Sequence, residues 1–331
     1  MLTPEHISNL FRNFSEKECK GSSNLYEHLS LRIAEDEEIL TLVSHAQPGQ
    51  PIPNLLLGAV HYLLLKGNSH VLKQYYGSLV STPEKNLDQA FHHFKGFCQL
   101  HREEISAILK TKLVQTNEVR RCTYLYPSFC YMFNKVNKPL ALIEIGTSAG
   151  LQLFWDQYCY SYGTEKVYGN INSKVQLKSE IKGENQPFLL QQSPPVTERI
   201  GLDLHINDLK DEEDYLWLRS LIWPEHKERL EMFDHAATYL KEQSVKLIEG
   251  DGVSLLSEIA EQIPENIKHK LVEQIKEIGA KRDVFHLYNN MWDRDLHLDY
   301  FINGKEYNET VGETDGHARW FSWGLEDKSL C

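Results

Sequence analysis

The sequence predicts an α/β fold: a parallel sheet covered on both faces, preceded by a region of helices alone. Two observations predict it. Before Pro139 the apolar residues recur at three- and four-residue steps with no convincing strand among them. After Pro139, short continuous apolar runs alternate with helical patterns, the mark of strands buried on both faces. At 331 residues the chain has room for two ordinary domains, and the expected division is 1–137 for the helical region and 138–331 for the α/β domain.

The elements follow in order. Leu25, Leu29 and Ile33 with the Ile39-Leu40-Leu42-Val43 cluster suggest a helix beginning after Ser23, and Pro53 to Lys66 a further one ended by Gly67-Asn68. Ser81-Thr82-Pro83-Glu84 is a helix-start signal, because hydroxyls can cap free N–H groups and a proline is harmless in the first turn. Behind it Leu87, Phe91, Phe94, Phe97, Cys98, Ile105 and Leu109 form one stripe of a long helix. Leu140 to Ile145 is the first core strand, and Leu151 to Tyr162 carries a helical pattern stopped by Gly163. Residues 165–182 alternate like a half-exposed hairpin, within an insertion near 165–198. Arg199–Leu204, Val245–Glu249 and Asp283–Leu287 are expected as further strands of the same sheet, with helices near 225–242 and 253–262.

Hydrophobic residues make up 41% and charged residues 25% of the chain, a globular composition. The net charge of −12 repels phosphate backbones and anionic lipid, so neither nucleic acid nor a membrane surface is the expected partner; a small-molecule ligand is. The longest apolar run, Leu55 to Leu65, is too short to cross a bilayer. Six cysteines without any C-x-x-C pair indicate neither a zinc knuckle nor a disulfide framework. No basic and apolar leader opens the sequence, and a reducing cytoplasm is the expected location. No metal pattern is present: His92 and His93 are adjacent, and H-E-x-x-H is absent. The tryptophans that crowd the second half are expected in the core. Nothing in the sequence sets the oligomeric state.

Glu144-Ile-Gly146-Thr-Ser148-Ala-Gly150-Leu lies between a buried strand and a helical pattern. Gly146 lets the chain leave the strand tightly, and Gly150 lets backbone approach a ligand at the carboxyl end of the strand. The segment resembles the first motif of S-adenosylmethionine-dependent methyltransferases, acidic-x-Gly-x-Gly-x-Gly, with Ser148 at the middle position. That resemblance implies a Rossmann-like, methyltransferase-type sheet with S-adenosylmethionine as cofactor and an unknown small molecule as methyl acceptor. Glu144 would then contact the amino group of the methionine moiety, Asp203 the ribose hydroxyls and Asp251, within Gly250-Asp251-Gly252, the adenine. Asp203 lies much further from the glycines than the ~20 residues of the related dinucleotide folds, a gap the insertion would absorb. A non-catalytic nucleotide-binding or interaction scaffold is the alternative. Gly146-Thr-Ser148-Ala-Gly150 is also G-x-S-x-G, the nucleophile elbow of serine hydrolases, with Ser148 as nucleophile and Asp251 and His286 or His317 as partners. That fold needs strands before its serine, and the first 137 residues suggest none. A purely structural tight turn is the third possibility.

Over almost its whole length the chain resembles a bacterial domain-of-unknown-function family, number 2332. The segments that carry the resemblance are His61-Tyr-Leu-Leu-Leu65, Gln115-Thr-Asn-Glu-Val-Arg-Arg121, Glu144 to Asp156, Arg199 to Leu204, Trp217-Leu-Arg-Ser-Leu-Ile-Trp-Pro224 and Thr314-Asp-Gly-His-Ala-Arg-Trp320. Asn117 and Arg121 are expected either in a capping network at a helix start or facing substrate from a lid. Asp315, His317 and Arg319 suggest an edge hairpin held by an Asp–Arg pair, or His317 as a general base. His286, Asn289 and Asn290, after the fourth strand, are candidates for substrate contact, and a core histidine explains His286 equally well.

Overall fold

A computed structural model of the chain describes residues 3–115, 117–252, 254–255, 276, 279–280, 283–289 and 294–325. It is a mixed α/β protein with a helical N-terminal part and a parallel sheet, arranged as two compact units. One unit comprises residues 1–116 and 208–234, the other 117–207 and 235–331.

Helices build the first unit: α1 (Pro4–Phe14), α2 (Asn24–Ile33), α3 (Glu37–Val43), α4 (Ile52–Leu65), α5 (Ala90–Leu100) and α6 (Arg102–Thr111). Each early start is fixed by a side-chain cap: Thr3 accepts from the His6 N–H, Ser23 from Tyr26 and Asp36 from Ile39. The Asp36 cap divides what the apolar pattern suggested as one helix into α2 and α3. Helix α4 is buried nearly all round, with Leu55, Leu56, Leu57, Val60 and Leu64 fully inaccessible. After α7 (Cys122–Val136), which belongs to the second unit, the chain returns to the first with α8 (Glu212–Ser220). There Trp217 is buried and donates from Nε1 to the Leu113 carbonyl at 2.8 Å. Gly58 on α4 makes the close approach possible, since a Cβ there would meet Leu221 at 2.9 Å. Helix α9 (Lys227–Lys241) runs through the boundary at residue 234.

The start signal at Ser81 is not where α5 begins. Glu84 Oε1 accepts from the Asn86 N–H at 2.8 Å, and Asn86 Oδ1 from the Asp88 N–H at 2.9 Å. These side-chain-to-backbone bonds compete with helical ones, and the helix forms only from Ala90. The expected long helix is also broken at His101, between α5 and α6.

The second unit holds the parallel sheet, in which β1 (Leu140–Ile145), β6 (Val196–Asp203) and β7 (Lys246–Glu249) lie in the order β1-β6-β7. Ile145 is in register with Leu202, and Asp203 with Glu249, so the carboxyl ends of the three strands share one edge. Between β1 and β6 run β2 (Cys159–Ser161), β3 (Val167–Gly169), β4 (Gln176–Lys178) and β5 (Glu180–Lys182). Here two expectations fail. Leu151 to Tyr162 is not an α-helix: Leu151–Gln157 is a 3-10 helix, and the aromatic stretch after it is β2. Residues 165–182 are not one hairpin either, because β3 and β4 flank β2 on opposite sides while β5 pairs with β11 (Trp320–Ser322).

The expected fourth strand exists as β8 (Val284–Asn289), but it does not extend the parallel sheet. It pairs antiparallel with β9 (Asp295–Ile302), itself antiparallel to β10 (Lys305–Glu313). An apolar run shows burial, not which strand it pairs with. The helix expected near 253–262 falls largely outside the described residues. Cys19, Cys98, Cys122, Cys130 and Cys159 are buried free thiols. Among the described residues no helix is long and apolar enough to cross a membrane.

Candidate functional site

The β1 turn is built around Ser148. Gly146 and Gly150 both have positive φ, +77° and +80°, where glycine carries no Cβ penalty. Ser148 takes the same left-handed region at φ +52°, which costs a non-glycine residue ~1 kcal/mol. Hydrogen bonds hold it there. Its N–H donates to Asp203 Oδ2 at 2.7 Å, and its carbonyl accepts from the Asn207 N–H at 3.2 Å. Its Oγ accepts from Asn117 Nδ2 at 2.7 Å and Asn207 Nδ2 at 3.0 Å. The Gly146 and Thr147 N–H groups donate to the Leu202 carbonyl at 2.8 and 3.2 Å, and Gly150 closes onto Thr147. The turn therefore uses its own donors, and the 3-10 helix after it is too short to add the anion-binding terminus of a long helix.

Glu144 is half-buried, and its Oε2 accepts from Thr147 Oγ1 at 2.6 Å. Burial raises its pKa from 4.5 to about 7; the Thr147 hydrogen bond and the Arg121 charge oppose the rise, and the Asp203 charge adds to it. Thr147 sits over Gly201 of β6, where a Cβ would lie 2.6 Å from its Cγ2 and 2.6 Å from Leu247 Cδ2. Around the edge, a Cβ on Gly146 would meet nothing within 4 Å, and Ile145 and Leu204 leave 44% and 73% of their surface exposed.

The structure thus brings together Asn117, Arg121, Glu144, Gly146, Ser148, Gly150 and Asp203. Asn117 bonds the turn rather than capping a helix; the cap of the following 3-10 turn is Glu118, which accepts from the Arg120 N–H. Asp251 lies just past β7 at the same edge but is exposed, and its Oδ2 accepts from the Ser254 N–H and hydroxyl. His317 bonds the neighbour of Asn117 rather than the turn, its Nδ1 3.2 Å from Oε2 of the buried Glu118, in the segment where Arg319 Nε pairs with Asp315 at 2.5 Å. That Asp–Arg pair is the one expected from the sequence. His286 lies in the antiparallel sheet, opposite Asp299 and stacked on Tyr288 with ring centres 4.7 Å apart, and burial lowers its pKa. Asn289 ends β8, and its side chain, like Asn290, falls outside the described residues.

Asn207 escaped the sequence-level expectations. It carries no motif, and its only signal is its place just after a strand whose carboxyl end faces the turn. Chemically, the arrangement fixes a backbone turn rigidly and leaves acceptor capacity on its acids. The Ser148 hydroxyl oxygen is bonded by two amide donors, neither of which can act as a general base. Among the described residues no group of three or more His, Cys, Asp or Glu side chains is placed to hold a metal ion.

No curated protein and no solved structure matches the chain. A family model described as an uncharacterized protein conserved in bacteria, DUF2332, matches residues 8–323. Spanning nearly all of the sequence, that match makes the protein a member of the DUF2332 family.

Proposed function

We propose that the chain binds S-adenosylmethionine at the carboxyl edge of its parallel sheet, as a methyltransferase-like protein acting on a small-molecule acceptor. One observation carries this: Glu144, Asp203 and Asp251 fall at the ends of three successive parallel strands, beside a glycine turn with open space over Gly146. The order β7-β6-β1 supports the reading, since one half of a doubly wound sheet has that strand order and its ligands sit outside the carboxyl ends of the strands.

The residues fit the group. An ionised carboxylate accepts about four hydrogen bonds, and Asp203 receives one from Ser148 and a longer one, 3.2 Å, from the His205 N–H. Lone pairs remain for two ribose hydroxyls. Leu204 and Ile145 offer apolar faces to adenine, with Asp251 at its rim. Glu144 carries a carboxyl for the amino group, and the open space over Gly146 admits the chain of the cofactor. S-adenosylmethionine would supply an electrophilic methyl group, transferred by in-line displacement, for which positioning counts most.

The test is thermal unfolding with millimolar S-adenosylmethionine or S-adenosylhomocysteine. Ligand at a hundred times its dissociation constant stabilises the fold by ~2.7 kcal/mol, a rise in melting temperature that Asp203→Asn should abolish. An unshifted wild-type curve with both compounds overturns the proposal.

A further inference from the structure

The first unit contains a second constellation, independent of the sheet edge. His61 on α4 is fully buried. Its Nδ1 lies 2.9 Å from the Ser220 carbonyl at the end of α8, and its Nε2 2.7 Å from Ser78 Oγ. A carbonyl oxygen only accepts, so Nδ1 carries the ring proton. The neutral ring then has its lone pair on Nε2, and the Ser78 hydroxyl donates to it. Burial supports this form by lowering the His61 pKa to about 4.

Ser78 also lines an open surface pocket of about 320 Å³, together with Arg219, Lys227, Glu231 and Asp234. Its walls are built: Asp234 receives Arg219 Nε at 3.0 Å and the Tyr215 hydroxyl at 2.8 Å. A serine of the pocket lining whose hydroxyl meets a neutral imidazole, with an acceptor fixing the tautomer, has the arrangement of nucleophile, base and orienter in covalent catalysis. Two segments that mark the family, around His61 and around Arg219-Ser220, meet here, and the sheet-edge site uses neither.

We propose that Ser78 is a nucleophile with His61 as its base, hydrolysing a small carboxylic ester. The pocket sits at the lower end of the small-ligand range, and its two cations and two carboxylates balance, which suits a neutral or zwitterionic acyl compound. Ser78 Oγ bonds to the acyl carbon as its proton passes to His61 Nε2. The carbon–oxygen bond to the alcohol breaks, and the alcohol leaves with that proton. Water then attacks the acyl-serine, giving one proton to Nε2 and returning Ser78 Oγ–H, so that ester and water become acid and alcohol.

The experiment is labelling of the full chain with a fluorophosphonate, read by intact mass and peptide mapping, with p-nitrophenyl acetate hydrolysis alongside. One adduct is expected, on the peptide holding Ser78, lost in Ser78→Ala together with at least tenfold of the hydrolysis rate. Ser78→Ala leaves His61 in place with its carbonyl bond, and its melting curve shows whether it folds; His61→Gln should slow labelling by a similar factor. No adduct on the folded wild type, or an adduct on another residue such as Ser148, overturns the assignment. Neither result bears on S-adenosylmethionine binding, which is read separately.

Discussion

The Asp203 carboxylate at the end of β6 receives the Ser148 backbone N–H at 2.7 Å, across 55 positions of sequence. The contact joins two adjacent parallel strands at their carboxyl ends and holds a serine in the left-handed region. A hydrogen bond to a charged acceptor contributes ~1.5–3 kcal/mol. Asp203→Ala should therefore destabilise the second unit by ~2 kcal/mol, measured as a lower urea midpoint at unchanged slope.

Ser148→Ala should cost ~1–3 kcal/mol although it removes a single oxygen. The half-buried Asn117 amide and the buried Asn207 amide would each lose the acceptor they share, and a donor removed from water pays for a lost hydrogen bond. Replacing Asn117 as well should cost less than the two single effects added together, which a double-mutant cycle in urea would show.

Glu144 makes stability depend on pH in a direction unusual for a carboxylate. Its folded-state pKa is raised to about 7 against an ordinary 4.5, so the folded protein holds a proton that the unfolded chain releases. The associated stability is fully present below about pH 4.5 and is lost as pH rises through 7, by on the order of 3 kcal/mol at most. Glu144→Gln keeps an acceptor for Thr147 and should flatten the slope of unfolding free energy between pH 5 and 7. An unchanged slope would show that the shift lies elsewhere.

Gly201→Ala tests the packing under the turn. The added methyl would lie 2.6 Å from both Thr147 Cγ2 and Leu247 Cδ2, closer than real contacts allow. Overpacking of this kind costs ~1–3 kcal/mol. Because Thr147 must move, its bond to Glu144 should weaken, and the carboxyl titration seen by NMR should shift further upward.

The parallel strands were legible because β1 and β6 carry short apolar stretches behind Pro139 and Pro195, and Val245, Leu247 and Ile248 mark β7. The turn between β1 and the 3-10 helix was legible from Gly146 and Gly150. The stretch from Leu151 to Tyr162 misled because Leu151, Phe154 and Trp155 fit a helix, while Tyr158, Tyr160 and Tyr162 fit a strand equally well. Pairing decided between them, and pairing is non-local: Cys159 aligns with Gly169 on one side and Gln176 on the other. The same holds for β8, whose partner β9 follows it in the chain and draws it out of the parallel sheet. Asn207 was invisible because an amide after a strand has no signature until its neighbour across the sheet is known. His61 was visible as the start of a family-marking segment but not as a partner of serine, because its bond to Ser78 depends on a loop that shows no periodicity.

The three side chains gathered on Ser148 arrive from before α7, from the end of β6 and from the loop that follows it. None can reach the serine until the segments between them have condensed, so the turn should close late, as a keystone does, rather than nucleate early. Its amide proton should therefore exchange with solvent only when the whole sheet opens, which makes one backbone N–H a reporter on the cooperativity of the unit.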